Sequence, residues 1–251
     1  MDQHYKDLIA NEFRNCVNNT ITRIQNRDGD FRPFHSALLS EDVIFWSAFE
    51  RSFSTSFGQR VLEELAKIVA LSNGADDAAR QRETTVTLDN AYFAAINSHI
   101  TSLRSNRNAT TGWDASLTEV RDIELTGQTN TIRVISDLWW IKDGVNNYMS
   151  LKTVKPNIDQ TCVAKEDCLK LKLYDPNCNA YFGLPYNPYG DNREDYAFNP
   201  PMKVFDFHHD SAVLIGRDMW DTLGGAGCYD EIIEIAEAVG IETRQTIAAL
   251  R

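Results

Sequence analysis

Residues 134–157, VISDLWWIKDGVNNYMSLKTVKPN, place a carboxylate and ammonium groups in a segment that otherwise reads as buried strand. Asp137 stands among Val134, Ile135, Trp139 and Trp140, and Ser150, Lys152 and Lys155 stand in and after the next apolar run. Between the two runs, Asp143-Gly144 is a strong signal for a two-residue hairpin loop, because such loops need positive φ at their central residues. With those two residues as the loop, Lys142 faces Val145 and every facing pair sums to 287. Asp137 then lies opposite Ser150, and Lys152 is its diagonal neighbour on the same face, the side-chain period of a strand being two. Directly opposed Cβ atoms stand about 5 Å apart and diagonal ones roughly 7–8 Å. A loop of three or four residues would shift this register.

An aspartate beside a lysine suits metal-dependent attack on a phosphodiester. The carboxylate can hold Mg²⁺, which takes oxygen ligands. The cation polarises the phosphate and activates water near neutral pH. The lysine adds positive charge where the transition state becomes more negative. A second acid is then needed. The plainer alternative is a cross-strand ion pair, worth about 0–1 kcal/mol when exposed.

The surrounding elements must hold this hairpin. Leu8, Ile9, Phe13, Cys16, Val17, Thr20, Ile21 and Ile24 recur at helical spacing. Ser40 before Glu41 and Asp42 reads as an N-cap, GQRVLEELAKIVALS continues as helix, and LDNAYFAAINSHITSL follows with Asp89 as its cap. Residues 1–110 are therefore expected to form a mainly helical front. Residues 118–251 are expected to hold the catalytic sheet and the C-terminal helices. NIDQTCVAKEDCLKLKLY reads as helix, KVFDFHH and AVLIG as short strands, and YDEIIEIAEAVGIETRQTIAAL as a terminal helix. With no repeat or linker, 1–251 reads as a single α/β domain with a central mixed sheet flanked by helices.

The formal charge of −11 argues against a sequence-independent nucleic-acid coat, which would be basic. The acid is concentrated late: residues 191–251 hold 12 Asp/Glu against 5 Lys/Arg, a balance of −7 that leaves −4 for the rest. No apolar run is long enough to span a membrane, and MDQHYKDLIANEF lacks a secretory layout, so a cytoplasmic protein is expected. Five cysteines at irregular spacing, without CxxC, read as reduced buried thiols.

SDLWWIKDGVNNYMSLKTVKPN resembles the core of the PD-(D/E)XK nucleases, where an aspartate on one strand precedes acid-x-lysine on the next. LKTVKPN with Gln160, together with FERSFSTSFGQRVLEELAKIVA, LPYNPYG and VLIGRDMWDTLGG, resembles the TdeIII/MjaII-like type II restriction endonucleases from about Phe34 onward. The resemblance implies a restriction-endonuclease-like core and Mg²⁺-dependent cleavage of double-stranded DNA at a short palindromic site, with GGNCC-like specificity. It also implies a homodimer and a cognate DNA methyltransferase in the same system. Ser150 stands where that pattern has an acid. In related enzymes with serine there, a glutamate on the next helix replaces the missing ligand, and Glu166 lies fourteen residues after Lys152 at a similar spacing. Helical phasing places Glu166 with Cys162, Val163, Leu169 and Leu173, and a carboxylate on an apolar face is costly to bury unless paired or bound to metal. The expected metal ligands are Asp137 and Glu166, with Asp159 as runner-up and Glu63, on a helix of the front, as a further acid. Asp137, Lys152 and Glu166 form the expected catalytic set, with Ser150, Lys155 and Gln160 as contacts to DNA or water. The rival readings are a nuclease-fold DNA-binding protein that has lost catalysis and a Mg²⁺-dependent repair nuclease.

Other constellations carry less. FDFHHD gathers Asp206, His208, His209 and Asp210, but adjacent histidines on a strand point to opposite faces and seldom share one ion. GGAGCYDE lacks the Lys-Ser/Thr of a phosphate loop. Arg80, Arg82, Arg104 and Arg107, with the YNPYGDNRED loop, are generic candidates for reading bases.

Overall fold

Five strands form one mixed sheet, and its middle is the hairpin anticipated at Asp143-Gly144. In chain order they are β1 (Asp77–Asp89), β2 (Thr129–Lys142), β3 (Val145–Leu151), β4 (Asn179–Leu184) and β5 (Val213–Ile215), and this is also their order in the sheet. β1–β2 and β2–β3 pair antiparallel, while β3–β4 and β4–β5 pair parallel. Lys142 pairs with Val145 and Leu138 with Met149, as the 287 register requires. Asp143 and Gly144 take φ of +52° and +73°, the conformation the turn demands.

The computed structural model describes residues 1–26, 32–105 and 112–250. They group into two compact units, Met1–Ile68 with Asp230–Arg251, and Val69–Tyr229. The first holds α1 (Gln3–Gln25), α2 (Pro33–Leu38) and α3 (Glu41–Ser56), a π-helical turn at Phe57–Val61, the start of α4 (Leu62–Ser72) and most of the final helix. Ile9, Phe13, Cys16, Ile21 and Ile24 of α1 are buried, and Arg14 holds Glu242 through two contacts of 2.6 and 2.9 Å. The Ser40 cap forms, its hydroxyl accepting from the Val43 N–H at 3.4 Å.

The second unit holds the sheet with α5 (Asn90–Ser105), α6 (Trp113–Arg121), α7 (Ile158–Tyr174) and α8 (Arg217–Gly224), and α9 (Cys228–Ala248) begins at its end. Asp89 caps α5 as expected, accepting from the Ala91 N–H at 2.8 Å and also from Thr126 and Gly127. These donors hold its carboxyl down at about 2. α7 opens on a capping box, the Asn157 side chain accepting from Gln160 N–H and the Gln160 side chain from Asn157 N–H. Leu169 and Cys168 of α7 join Phe182, Phe205 and Val213 in the main core, and Leu171 joins Trp139 and Tyr148 in a smaller one.

Two expectations need correction. Residues 77–89, inside the expected helical front, form a thirteen-residue strand paired along β2. Its β-branched stretch at 84–87 suits a strand, and the polar stretch before it is carried by the pairing. KVFDFHH is not a strand but a 3₁₀ turn followed by tight turns. Carboxylates in it and just after it capture the backbone: Asp206 accepts from the N–H groups of His208 and His209, and Asp210 from those of Asp206 and Trp113. Among the described residues no helix is long and apolar enough to cross a membrane.

Candidate active site

Asp137, Ser150 and Lys152 meet as the hairpin register predicts. Backbone pairing of the hairpin stops at Leu138–Met149, so Asp137 and Ser150 touch through side chains. The Lys152 ammonium donates to Asp137 Oδ2 at 2.8 Å, and the Ser150 hydroxyl donates to the same oxygen at 3.3 Å. Lys152 Nζ also donates to the Leu151 carbonyl at 3.1 Å, and its backbone N–H to the Gly183 carbonyl at 3.0 Å. The parallel neighbour β4 thereby fixes the chain just where the lysine leaves the strand. The pair is partly buried, with side-chain exposures of 22% for Lys152 and 19% for Asp137. It is open enough for a substrate phosphate and sheltered enough for electrostatics to count.

Sequence reasoning missed Gln81. Its Nε2 donates to Asp137 Oδ1 at 3.2 Å, across 56 positions of sequence. No local pattern marks it.

The second acid is less simply placed. Glu166 pairs with Lys170 at 2.7 Å, one helical turn on, and its side chain is 37% exposed. The apolar face assigned to it is broken, because Val163 is exposed whereas Lys165 is fully buried. The neighbouring Asp167 is more enclosed, at 27% exposure. Burial pushes its carboxyl up, while Lys170 and Lys152 pull it down, so Asp167 lies within electrostatic reach of the site lysine. Asp159 is engaged by Arg104 at 2.8 Å. Gln160 is committed to the α7 cap, and the Lys155 ammonium lies over the Tyr189 ring at 5.2 Å. Glu63 lies in the first turn of α4, in the other compact unit.

The candidate base readers are also partly occupied. Arg82 stacks over Trp139 at 4.6 Å, and Arg193 binds the carbonyls of Phe207 and Asp210. Arg107 lies outside the described residues. None of the five cysteines is in a disulfide, and all five are buried. Burial pushes the Cys178 thiol up to about 12 and raises Cys168 as well, so neither is a nucleophile at neutral pH.

The atoms here that could ligate a cation are hard oxygens, the Asp137 carboxylate, the Ser150 hydroxyl and the Leu151 carbonyl that faces Lys152 Nζ, since the Lys152 and Gln81 nitrogens near Asp137 are hydrogen-bond donors. Among the described residues no group of three or more His, Cys, Asp or Glu side chains stands ready for a metal, FDFHHD included. That set excludes a dedicated zinc cage but fits Mg²⁺, which keeps several waters and needs only one or two carboxylates beside substrate phosphate.

Comparison with known proteins gives this geometry its context. The family model "Type II restriction endonuclease, HinfI" matches residues 1–240. The chain belongs to the HinfI family of type II restriction endonucleases. Among relatives of this HinfI-family enzyme is the type II restriction enzyme HgiCII of Herpetosiphon aurantiacus, 31% identical over 88% of this chain and 81% of the relative. HgiEI of the same organism is 30% identical over 94% and 86%. No solved structure matches. As a type II restriction endonuclease the protein is a site-specific deoxyribonuclease acting on double-stranded DNA. The mixed sheet flanked by helices accords with that fold.

Proposed function

We propose that this HinfI-family enzyme hydrolyses both strands of a short palindromic DNA site in a Mg²⁺-dependent reaction, through a PD-(D/E)XK site in which Ser150 replaces the usual acid. The observation that carries this reading is the 2.8 Å contact of Lys152 with Asp137 on adjacent strands. Asp137 and Glu166 would hold the ion, with Glu63 as an outer ligand and the Leu151 carbonyl and water as further oxygens. When bound, such an ion polarises a phosphodiester and makes water acidic enough to attack it.

The chain's own groups do the rest. Lys152, in contact with Asp137, can turn one N–H toward a phosphate oxygen as negative charge grows there. Ser150 and Gln81 hold the carboxylate in place while the lysine turns. Glu166 is the proposed second acid. Its partner Lys170 also pairs with Asp167 at 3.3 Å, so turning Glu166 away would not strand the lysine. Lys155 and Gln160 are assigned to the DNA side of the same site.

A palindrome is matched by a two-fold homodimer, with one site per strand. A cognate methyltransferase would protect the same sequence in the host cytoplasm, and the resemblance of the motif blocks favours a GGNCC-like target. The test digests unmethylated DNA with native protein, with and without Mg²⁺, beside Glu166→Ala and Asp167→Asn. Discrete fragments that require Mg²⁺ and vanish in Glu166→Ala are expected. Fragments lost only in Asp167→Asn would transfer the second-acid role to Asp167, and a smear would replace site-specific cleavage with general nuclease action.

A further inference from the structure

One residue of β1 breaks the strand's geometry, and it does so against the cleavage site. Gln81 has φ of +48°; among the described residues the only other non-glycine at positive φ is Asp143, in the hairpin turn. Pairing with β2 is in register on both sides, Arg80 with Leu138 and Arg82 with Ser136, so no residue is inserted. Only Gln81 and Asp137 drop out of the ladder. The consequence is visible in the packing. Ile132 and Val134 belong to the same cluster as Trp139 and Ile141, and Ala79 joins that of Val86. Strict alternation would put Val134 and Trp139 on opposite faces. Both strands therefore change phase once, in the stretch that contains Gln81 and Asp137.

A left-handed conformation is strained for a residue with a long side chain, and such strain persists where the surroundings enforce it, often at functional sites. Here it coincides with a specific contact. The Gln81 amide donates to Asp137 Oδ1, leaving Oδ2 to Lys152 and Ser150. A neutral amide orients a carboxylate without cancelling its charge, which a second ammonium would do. The carboxylate thus stays fixed in direction and still attractive to a cation.

We propose that Gln81 is a positioning residue of this endonuclease, holding the Asp137 carboxylate through Oδ1 while Lys152 engages Oδ2. The inference rests on the reading of Asp137 as the carboxylate of the cleavage site.

Gln81→Gly separates positioning from fold support, because glycine accepts positive φ without strain. Its Tm should not fall, and its DNA affinity measured without Mg²⁺ should match the native protein. Its single-turnover cleavage should drop roughly 10- to 100-fold, as misplaced catalytic groups do. Gln81→Glu tests the contact without any reaction. A second carboxylate beside Asp137 should tighten Mg²⁺ binding roughly tenfold in the absence of DNA, read as a further Mg²⁺-induced Tm rise of about 3 °C over the native response. Cleavage at the native rate in Gln81→Gly, a parallel loss of Tm and rate in that variant, or a native Mg²⁺ response in Gln81→Glu would each overturn the assignment. A native protein that cuts nothing would defeat the cleavage reading itself, an outcome the Gln81 variants alone cannot produce.

Discussion

Replacing Lys152 by methionine keeps most of the length of the side chain and removes its charge. The Lys152–Asp137 pair is about one-fifth exposed on each side, between a surface pair worth about 0–1 kcal/mol and a buried one that costs about 3–5 kcal/mol to break. Asp137 would not be stranded, because the Gln81 amide and the Ser150 hydroxyl still donate to it. The expected loss of stability is therefore about 1–2 kcal/mol, a Tm decrease of roughly 2–8 °C for a chain of this size. The loss of rate should be far larger, because removing a group that answers charge in the transition state costs about 10²- to 10³-fold. Thermal denaturation and single-turnover cleavage of a plasmid, run on one preparation, give both numbers. Cleavage within tenfold of native would refute the role given to Lys152. A much larger loss of Tm would show that the pair is structural.

Other consequences follow from the same geometry. Asp167→Asn should raise Tm at neutral pH, because burial raises this carboxyl's folded pKa and so penalises its charged form; the gain should shrink as acid protonates the native residue. Burial brings the Lys165 ammonium down to about 8 from 10.5. Between those values the unfolded chain binds more protons, so this group makes stability rise with pH across that window and adds no slope below it. Urea unfolding of native and Lys165→Met protein through the window should show stability rising more steeply, or falling less steeply, with pH in the native enzyme; the raised Cys168 and Cys178 thiols lower the slope equally in both. Asn157→Ala removes the α7 cap and should cost about 1 kcal/mol, or roughly 2–4 °C in Tm.

The hairpin was legible because two independent signals agree there. Asp143-Gly144 fixes the turn, and the polar residues at 137, 150 and 152 fall on one face once the turn is set. The start of α7 was legible from Asn157 and Gln160, whose types satisfy each other's backbone donors. β1 was not, since 77–82 has poor strand propensity and owes its conformation to β2. The face of α7 was misread because Val163 is exposed while Lys165 is buried, its ammonium donating to the Val204 carbonyl at 2.6 Å and lying over Phe205. A long lysine with a carbonyl partner can occupy a core that composition reserves for valine. Gln81 left no trace in sequence because its role depends on a strand partner 56 residues away.

The most direct test of the account compares native protein with Asp137→Asn on unmethylated DNA, with and without Mg²⁺, mapping the ends of every fragment. Mg²⁺-dependent cuts at one recurring palindromic sequence, symmetric on the two strands, are expected from the native protein, and none from Asp137→Asn despite native DNA affinity. Equal cleavage by Asp137→Asn, or cuts without a shared sequence, would contradict the account.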